Sequence, residues 1–98
     1  MPEVRLTDAA TRDLAEIDEY GSGEFGMKVA DDYSRGFRDV FDLLRRHPQA
    51  GPARPELGKN ERCIAHRSHR IFYIMTSGVV QVLRVFHHSR DVKRSHFE

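Results

Sequence analysis

Residues 62–91, RCIAHRSHRIFYIMTSGVVQVLRVFHHSRD, decide how this chain of 98 residues folds. Two polar interruptions, Ser68-His69 and Thr76-Ser77-Gly78, cut the stretch into three short runs rich in β-branched and aromatic residues, which predicts three consecutive strands joined by tight turns. In the first run Cys63, Ala65 and Arg67 share one face and Arg62, Ile64 and His66 the other, because side chains alternate along a strand. Ile71–Met75 is apolar on both faces, as in a central strand covered on both sides. In the run from Val79 to His87, alternation sends Val80, Val82, Arg84 and Phe86 one way and Val79, Gln81, Leu83, Val85 and His87 the other. An arginine on the same face as Val82 and Phe86 calls for a partner, since a guanidinium is costly to bury alone.

The residues before this stretch supply what covers it. Val4-Arg5-Leu6-Thr7 alternates as a short edge strand with Val4 and Leu6 facing in, and Thr7 or Asp8 is placed to cap a helix. Ala10, Leu14 and Ile17 follow at helical spacing, and Tyr20 extends the stripe. Gly21-Ser22-Gly23 predicts a helix-helix turn across 21–26. From Met27 to Arg46, Ala30, Tyr33, Phe37, Val40, Phe41 and Leu44 make one apolar face. The other face holds Asp31/Arg35, Arg35/Asp39, Arg38/Asp42 and Asp42/Arg46 at i,i+4 spacing, read as solvated pairs. Arg45, Arg46 and His47 suit the negative end of the helix dipole, and Pro48 stops the helix. Residues 48–61, with prolines and glycines and no period, make a surface loop. The expected fold is α+β: an N-terminal strand and a two-helix antiparallel hairpin packed on a mostly antiparallel sheet completed by three C-terminal strands.

The chain's length suits one domain, residues 1–98, with 89–98 as a basic C-terminal tail. Apolar residues make up 39% and charged residues 32%, so the core is small and its flanks solvated. Cys63, the single cysteine, has no partner for an internal disulfide, and no N-terminal run has the charged and apolar parts of a secretion signal. The longest apolar run, Ile71–Met75, is far short of the roughly 20 residues that cross a bilayer. A cytoplasmic location away from membranes is the expectation. Charge is divided: residues 1–58 carry 8 Lys/Arg against 12 Asp/Glu, whereas 59–98 carry 8 against 3. His66, His69, His87, His88 and His96 also fall in the basic half, which would attract a polyanion or an acidic protein.

In order and in residues the chain resembles the ParE and RelE toxins, and the ParE branch in particular. The resemblance rests on the opening strand followed by TDAATRDLAEIDEY (7–20), on VADDYSRGF (29–37) with its early tyrosine, and on His47-Pro48 closing the second helix. RPELGKNERCIAHRSHRIFYIM (54–75) and VLRVFHHSRD (82–91) complete it, the latter containing an RV-x-H-x-x-x-D ending at Arg84-Val85-Phe86-His87-His88-Ser89-Arg90-Asp91. It implies the toxin of a type II toxin-antitoxin pair, a hetero-oligomer with a ParD-like antitoxin that lays a helix and an extended segment along the toxin. The free toxin would block DNA gyrase by binding rather than as an enzyme, without direct sequence-specific DNA binding. The antitoxin surface is read as Tyr33, Phe37, Arg67, Arg70 and Arg90, and the target surface as His87, His88, Arg90, Lys93 and Arg94.

RelE-like relatives cut messenger RNA on the ribosome, and that chemistry has candidates here too. Metal-free RNA cleavage needs a base, an acid and cations for the charged phosphorane. Arg67, Arg70 and Arg84 could clamp phosphate, with His66, His87 or His88 as acid or base. Such nucleases place a His or Tyr acid/base at the extreme C-terminus, often as His-Tyr, whereas this chain has HHSRD and continues. Alternatively, Arg67, Arg70 and Arg84 pair with helix carboxylates such as Asp13 or Glu16 and tie sheet to helices, a role that suits Arg84 in mid-strand better than Arg67 and Arg70, which flank a turn. His66-x-x-His69 and His87-His88 have the residue types of a metal site, but neighbouring strand residues point to opposite faces, so neither metal nor cofactor is expected. Cys63 has no base beside it and reads as a packed residue. A protein-binding module without toxicity is the third reading.

Overall fold

The computed structural model describes residues 2–97. The elements are β1 Glu3–Leu6, α1 Asp8–Phe25, α2 Met27–Arg46, β2 Arg62–His66, β3 His69–Thr76, β4 Val79–His87 and a 3-10 turn over Arg94–Phe97. The sheet order is β1-β4-β3-β2. The last three strands form an antiparallel meander, and β1 joins β4 in parallel with Val4 opposite Val80. The helical hairpin carries the chain from one edge of the sheet to the other, giving the expected α+β fold. No helix among the described residues is long and apolar enough to cross a membrane.

Thr7 couples the two layers. Its hydroxyl caps α1 by accepting from Ala10 N–H at 3.0 Å and donates to Leu83 C=O at 2.8 Å, while its own N–H donates to Val82 C=O at 3.0 Å. α1 then runs straight through Gly21-Ser22-Gly23, where a turn across 21–26 was predicted, and the break is confined to Gly26 at φ 89°. Packing overrides propensity here: a Cβ at Gly21 would already touch Ala30 Cβ at 3.5 Å, so two small residues let the helices approach closely. The longer hairpin leaves Tyr20 67% exposed instead of extending the buried stripe, and Phe25, Met27 and Val29 are exposed around the break. Leu6 is also exposed rather than facing in, while Val4 packs on the core. The expected α2 pairs are replaced by Lys28–Asp32, Asp32–Arg35 and Asp42–Arg45, all at the surface and worth little in stability.

The main core lies between helices and sheet: Ala10, Phe37 and Leu44 against Ile71, Tyr73, Val80, Val82 and Val85. The step from Val82 to Val85 breaks the alternation predicted for the last strand. Phe72 pairs with Arg84 but Tyr73 with Val82, so Leu83 is an extra residue, a β-bulge. Beyond the bulge the faces exchange. Val85 turns to the helices, and Phe86 joins Leu57, Cys63 and Phe72 in a second cluster rather than sharing the face of Val82. The turns are two residues each, Arg67-Ser68 and Ser77-Gly78. His69 therefore begins β3 instead of completing the first turn, and Arg67, at φ 50°, sits in that turn and not on a strand face.

The second cluster is covered by the loop after α2 and by the C-terminal segment. Val92 and Phe97 pack against it, so 89–97 is a structural strap as well as a basic tail. The loop is held through Tyr73, whose buried hydroxyl donates to Pro48 C=O at 2.8 Å and accepts from Gly51 N–H at 2.9 Å. Gly51 has to be glycine, because a Cβ there would lie 2.6 Å from Cys63 C=O. Glu61, at the end of the loop, has one buried carboxylate oxygen with no partner, and burial pushes its carboxyl up. Replacing Tyr73→Phe strands a buried donor and acceptor and is expected to cost about 1–3 kcal/mol in urea unfolding. An unchanged midpoint would show that the loop does not depend on this hydroxyl.

Candidate functional site

β1 ends at Leu6, opposite Val82, β4 continues to His87, and a groove of about 550 Å³ opens between the uncovered part of β4 and the helical hairpin. Ile17, Tyr20, Phe25, Val29, Ala30 and Tyr33 line the helix side, and Val85, Phe86 and His87 the strand side, with Asp13, Glu16, Ser68, His69 and Arg90 completing it. Most of the wall is apolar, and its outer end merges with the exposed hairpin tip. Apolar concavities of this kind receive peptide segments.

One carboxylate fixes the inner end. Asp13, buried on α1, accepts from Arg84 Nε at 2.8 Å and Nη2 at 2.9 Å, and from Val85 N–H at 3.0 Å. The last bond satisfies a strand-edge donor that β1 is too short to reach. Arg84 is thus committed to the fold through Asp13, the carboxylate partner raised in the sequence, and is not a free phosphate clamp. Its guanidinium also packs on Phe86 at 4.5 Å, and Arg90 stacks on the same ring at 4.4 Å.

The other end is built from imidazoles around Tyr33. Its hydroxyl is hydrogen-bonded to His69 Nδ1 at 2.7 Å and accepts from Ser68 N–H at 3.2 Å. His66 donates from Nε2 to Tyr33 C=O at 3.1 Å and packs its ring on Phe37. Gly36 makes room for that ring, since a Cβ there would lie 2.2 Å from His66 Cε1. His69 meets His87 edge-on at 5.4 Å. The rings of His87 and His88 stack at 4.4 Å instead of pointing to opposite faces, because β4 ends at His87 and Ser89 N–H turns back to His87 Nδ1 at 3.2 Å. Among the described residues, no group of three or more His, Cys, Asp or Glu side chains could hold a metal ion. Burial, reinforced by His87, His66 and His88, holds His69 down to about 4, so the ring is neutral near pH 7.

The residues anticipated from the sequence are dispersed. Tyr33, His87 and Arg90 line the groove. Phe37 is buried in the main core, closed to any partner, because its ring fills the space under His66 and Tyr33. Arg67 is exposed in the β2–β3 turn, and Arg70, opposite Phe86, is exposed on the sheet face away from the helices. His88, Lys93 and Arg94 are exposed beyond β4. Of the three arginines raised for phosphate chemistry, Arg84 is held by Asp13, Arg70 lies on the face away from the helices, and Arg67 sits in the turn between His66 and His69. The helix wall of Ile17, Tyr20, Phe25 and Val29 was missed as a site. Its signal was present in Phe25, Met27 and Val29, large apolar residues crowded around a glycine-rich break.

Comparison with known proteins places these features in a group. The sequence model of the family described as ParE toxin of type II toxin-antitoxin system, parDE, matches residues 4–92. Toxin ParE1 of Caulobacter vibrioides is 32% identical over 94 residues, covering 95% of this chain and 96% of that protein. Toxin ParE1 of Mycobacterium tuberculosis is 32% identical over 91 residues, 92% and 93% of the two chains. A solved structure of a chromosomal ParDE toxin-antitoxin system from P. aeruginosa superposes with a TM-score of 0.77 over 89% of this chain and 96% of that one; at 18% identity it shows the shared fold. The RelBE2 toxin-antitoxin complex from Mycobacterium tuberculosis superposes at 0.63 with 26% identity, over 89% and 99%.

Two outcomes are expected of the groove's ends. Asp13→Ala leaves Arg84 and Val85 N–H without their acceptor and should cost about 3 kcal/mol in denaturant unfolding, the scale of breaking a buried pair; a loss under about 0.5 kcal/mol would reduce the contact to a surface one. His69 has a folded value below the ordinary 6.5, so its contribution to stability is complete above that pH and is lost as pH falls toward about 4. Between pH 7 and 5 this amounts to on the order of 1 kcal/mol after solvent screening of a half-buried ring. Denaturation at the two pH values, with His69→Gln flattening the difference, checks the assignment.

Proposed function

The chain belongs to the family of ParE toxins of type II toxin-antitoxin systems, and from that membership we propose that it inhibits DNA gyrase by binding and is neutralised by a ParD-like antitoxin seated in the groove. The observation that carries the second half is the groove itself. Its apolar helix wall opens onto exposed Tyr20, Phe25 and Val29, surface that a soluble chain gains by covering. An amphipathic helix fits such a wall, with Arg90 at the rim and Arg67 in the neighbouring turn available to acidic side chains. The location proposed for this encounter is the cytoplasm.

The target surface is proposed on the segment that leaves β4: His87, His88, Arg90, Lys93 and Arg94, all exposed. The strap that ends in Phe97 holds this segment against the second core, so it is presented in one arrangement. A non-enzymatic mode is supported by how the cations are used. Arg84 is bound to Asp13 and Arg70 lies on the face away from the helices, whereas phosphoryl chemistry would need both beside an acid/base pair.

Expression from a tightly controlled promoter tests the reading. The expected outcome is a DNA-damage response and loss of supercoiling by purified gyrase, relieved by co-expression of a ParD-like antitoxin. Val29→Glu, which puts a charge on the groove wall, should weaken antitoxin binding by more than about tenfold, or about 1.4 kcal/mol. Transcript cleavage that disappears in a His87→Ala, His88→Ala double variant would replace gyrase binding by ribosome-dependent RNA cleavage. Harmless expression of folded protein would leave a binding module.

A further inference from the structure

The groove accounts for one side of the molecule, and a cluster of basic residues without carboxylate partners among the described residues lies on the other. Phe86 is the centre of that side. Arg70 stands directly across from it on β3, Arg90 stacks on its ring at 4.4 Å, and the turn holding Lys93 and Arg94 brings His96 to its ring at 5.3 Å. Arg70, Arg90, Lys93 and Arg94 are exposed, and none has a carboxylate partner among the described residues. Among the described residues the nearby acids are few: Glu56 is taken by Arg54 at 2.9 Å, Glu61 is buried, and Asp91 is the one acid of the strap.

We infer that this outer face, around Phe86, docks the phosphate backbone of duplex DNA without reading its sequence. Two observations select this occupant. The exposed large apolar residues are Leu6, Tyr20, Phe25, Met27 and Val29, none of them on this face, so it lacks the apolar anchors that hold a protein interface at its centre, and a target protein that also meets Arg90, Lys93 and Arg94 does so through charge. Single-stranded nucleic acid needs open aromatic rings on which bases stack, yet Phe72 and Phe86 are buried and Arg90 covers the second of them. What remains open is a set of arginine and lysine heads. Stacking on Phe86 holds the Arg90 guanidinium with its N–H edge free, the form in which arginine meets phosphate. This surface meets the antitoxin groove at Phe86 and Arg90 and shares Arg90, Lys93 and Arg94 with the proposed target surface, but it does not depend on which enzyme is the target.

The test is fluorescence anisotropy of the full chain with a labelled duplex of arbitrary sequence, about 20 base pairs long, across a salt series. With four phosphate contacts, affinity is expected to fall about 100-fold between roughly 50 and 200 mM salt. The double variant Arg70→Ala, Arg94→Ala should reduce the log–log salt slope by about 2, while Arg70→Lys, Arg94→Lys keeps it. Arg38→Ala, on the far side of α2, should leave binding unchanged. The proposal is overturned by no binding at about 50 mM salt, by tighter binding to the single strand than to the duplex, or by equal losses in the Arg38 and Arg70/Arg94 variants. Unchanged thermal midpoints in all variants tie any loss to the surface rather than to folding.

Discussion

The Asp13 carboxylate is the contact on which the rest of the arrangement depends. β1 reaches only as far as Val82, so the edge of β4 beyond it would present a buried N–H to nothing. Asp13 answers that donor and two from Arg84 at once, and thereby sets where α1 lies along the strand. Everything that defines the groove follows from this placement: Ile17 and Tyr20 stand one and two turns further along α1, opposite Val85 and His87. A buried ion pair adds little net stability over an apolar contact of the same shape. Its value here is positional, since each donor can be met from one direction only.

Phe86 is the joint between the molecule's two surfaces. The bulge at Leu83 turns it away from the main core, and it then serves the groove and the outer face together, with Arg84 and Arg90 both packed on its ring. The strap that closes over it through Val92 and Phe97 makes the exposed cations of 87–94 part of a folded surface rather than a free tail. Neutral His69, hydrogen-bonded to Tyr33, does the same for the end of the helical hairpin, tying α2 to the β2–β3 turn.

Element positions were legible because they rest on period and punctuation: the apolar stripe of α2, the cap at Thr7, the turn at Ser77-Gly78. The bulge was not, because the last strand is apolar on both faces and a one-residue slip at Leu83 leaves the pattern looking the same. Gly21-Ser22-Gly23 misled for a different reason. Local propensity argues for a turn, and only the packing of Gly21 on Ala30 shows why the helix continues. That Arg84 needs a helix carboxylate could be read in advance, since a charge inside an apolar strand demands compensation; that Asp13 rather than Glu16 supplies it could not. The groove wall could not: Phe25 and Val29 are the residue types of a core, and their exposure depends on how far the hairpin overshoots the sheet. The basic tail concealed its anchor, Phe97, among charges.

The parallel pairing of β1 with β4 has a bearing on how the chain is made. Glu3 pairs with Val79, and Thr7 bonds Leu83, so the first strand waits for about four fifths of the chain to be synthesised before it has a neighbour. Asp13 waits longer still for Arg84. At about 5–20 residues per second, translation holds the nascent chain for several seconds without its completed sheet, its Asp13 anchor or its groove. Contacts this distant in sequence also fold slowly once released. Until then neither the groove nor the folded segment beyond β4 is assembled, and a partner already present has that interval in which to be waiting.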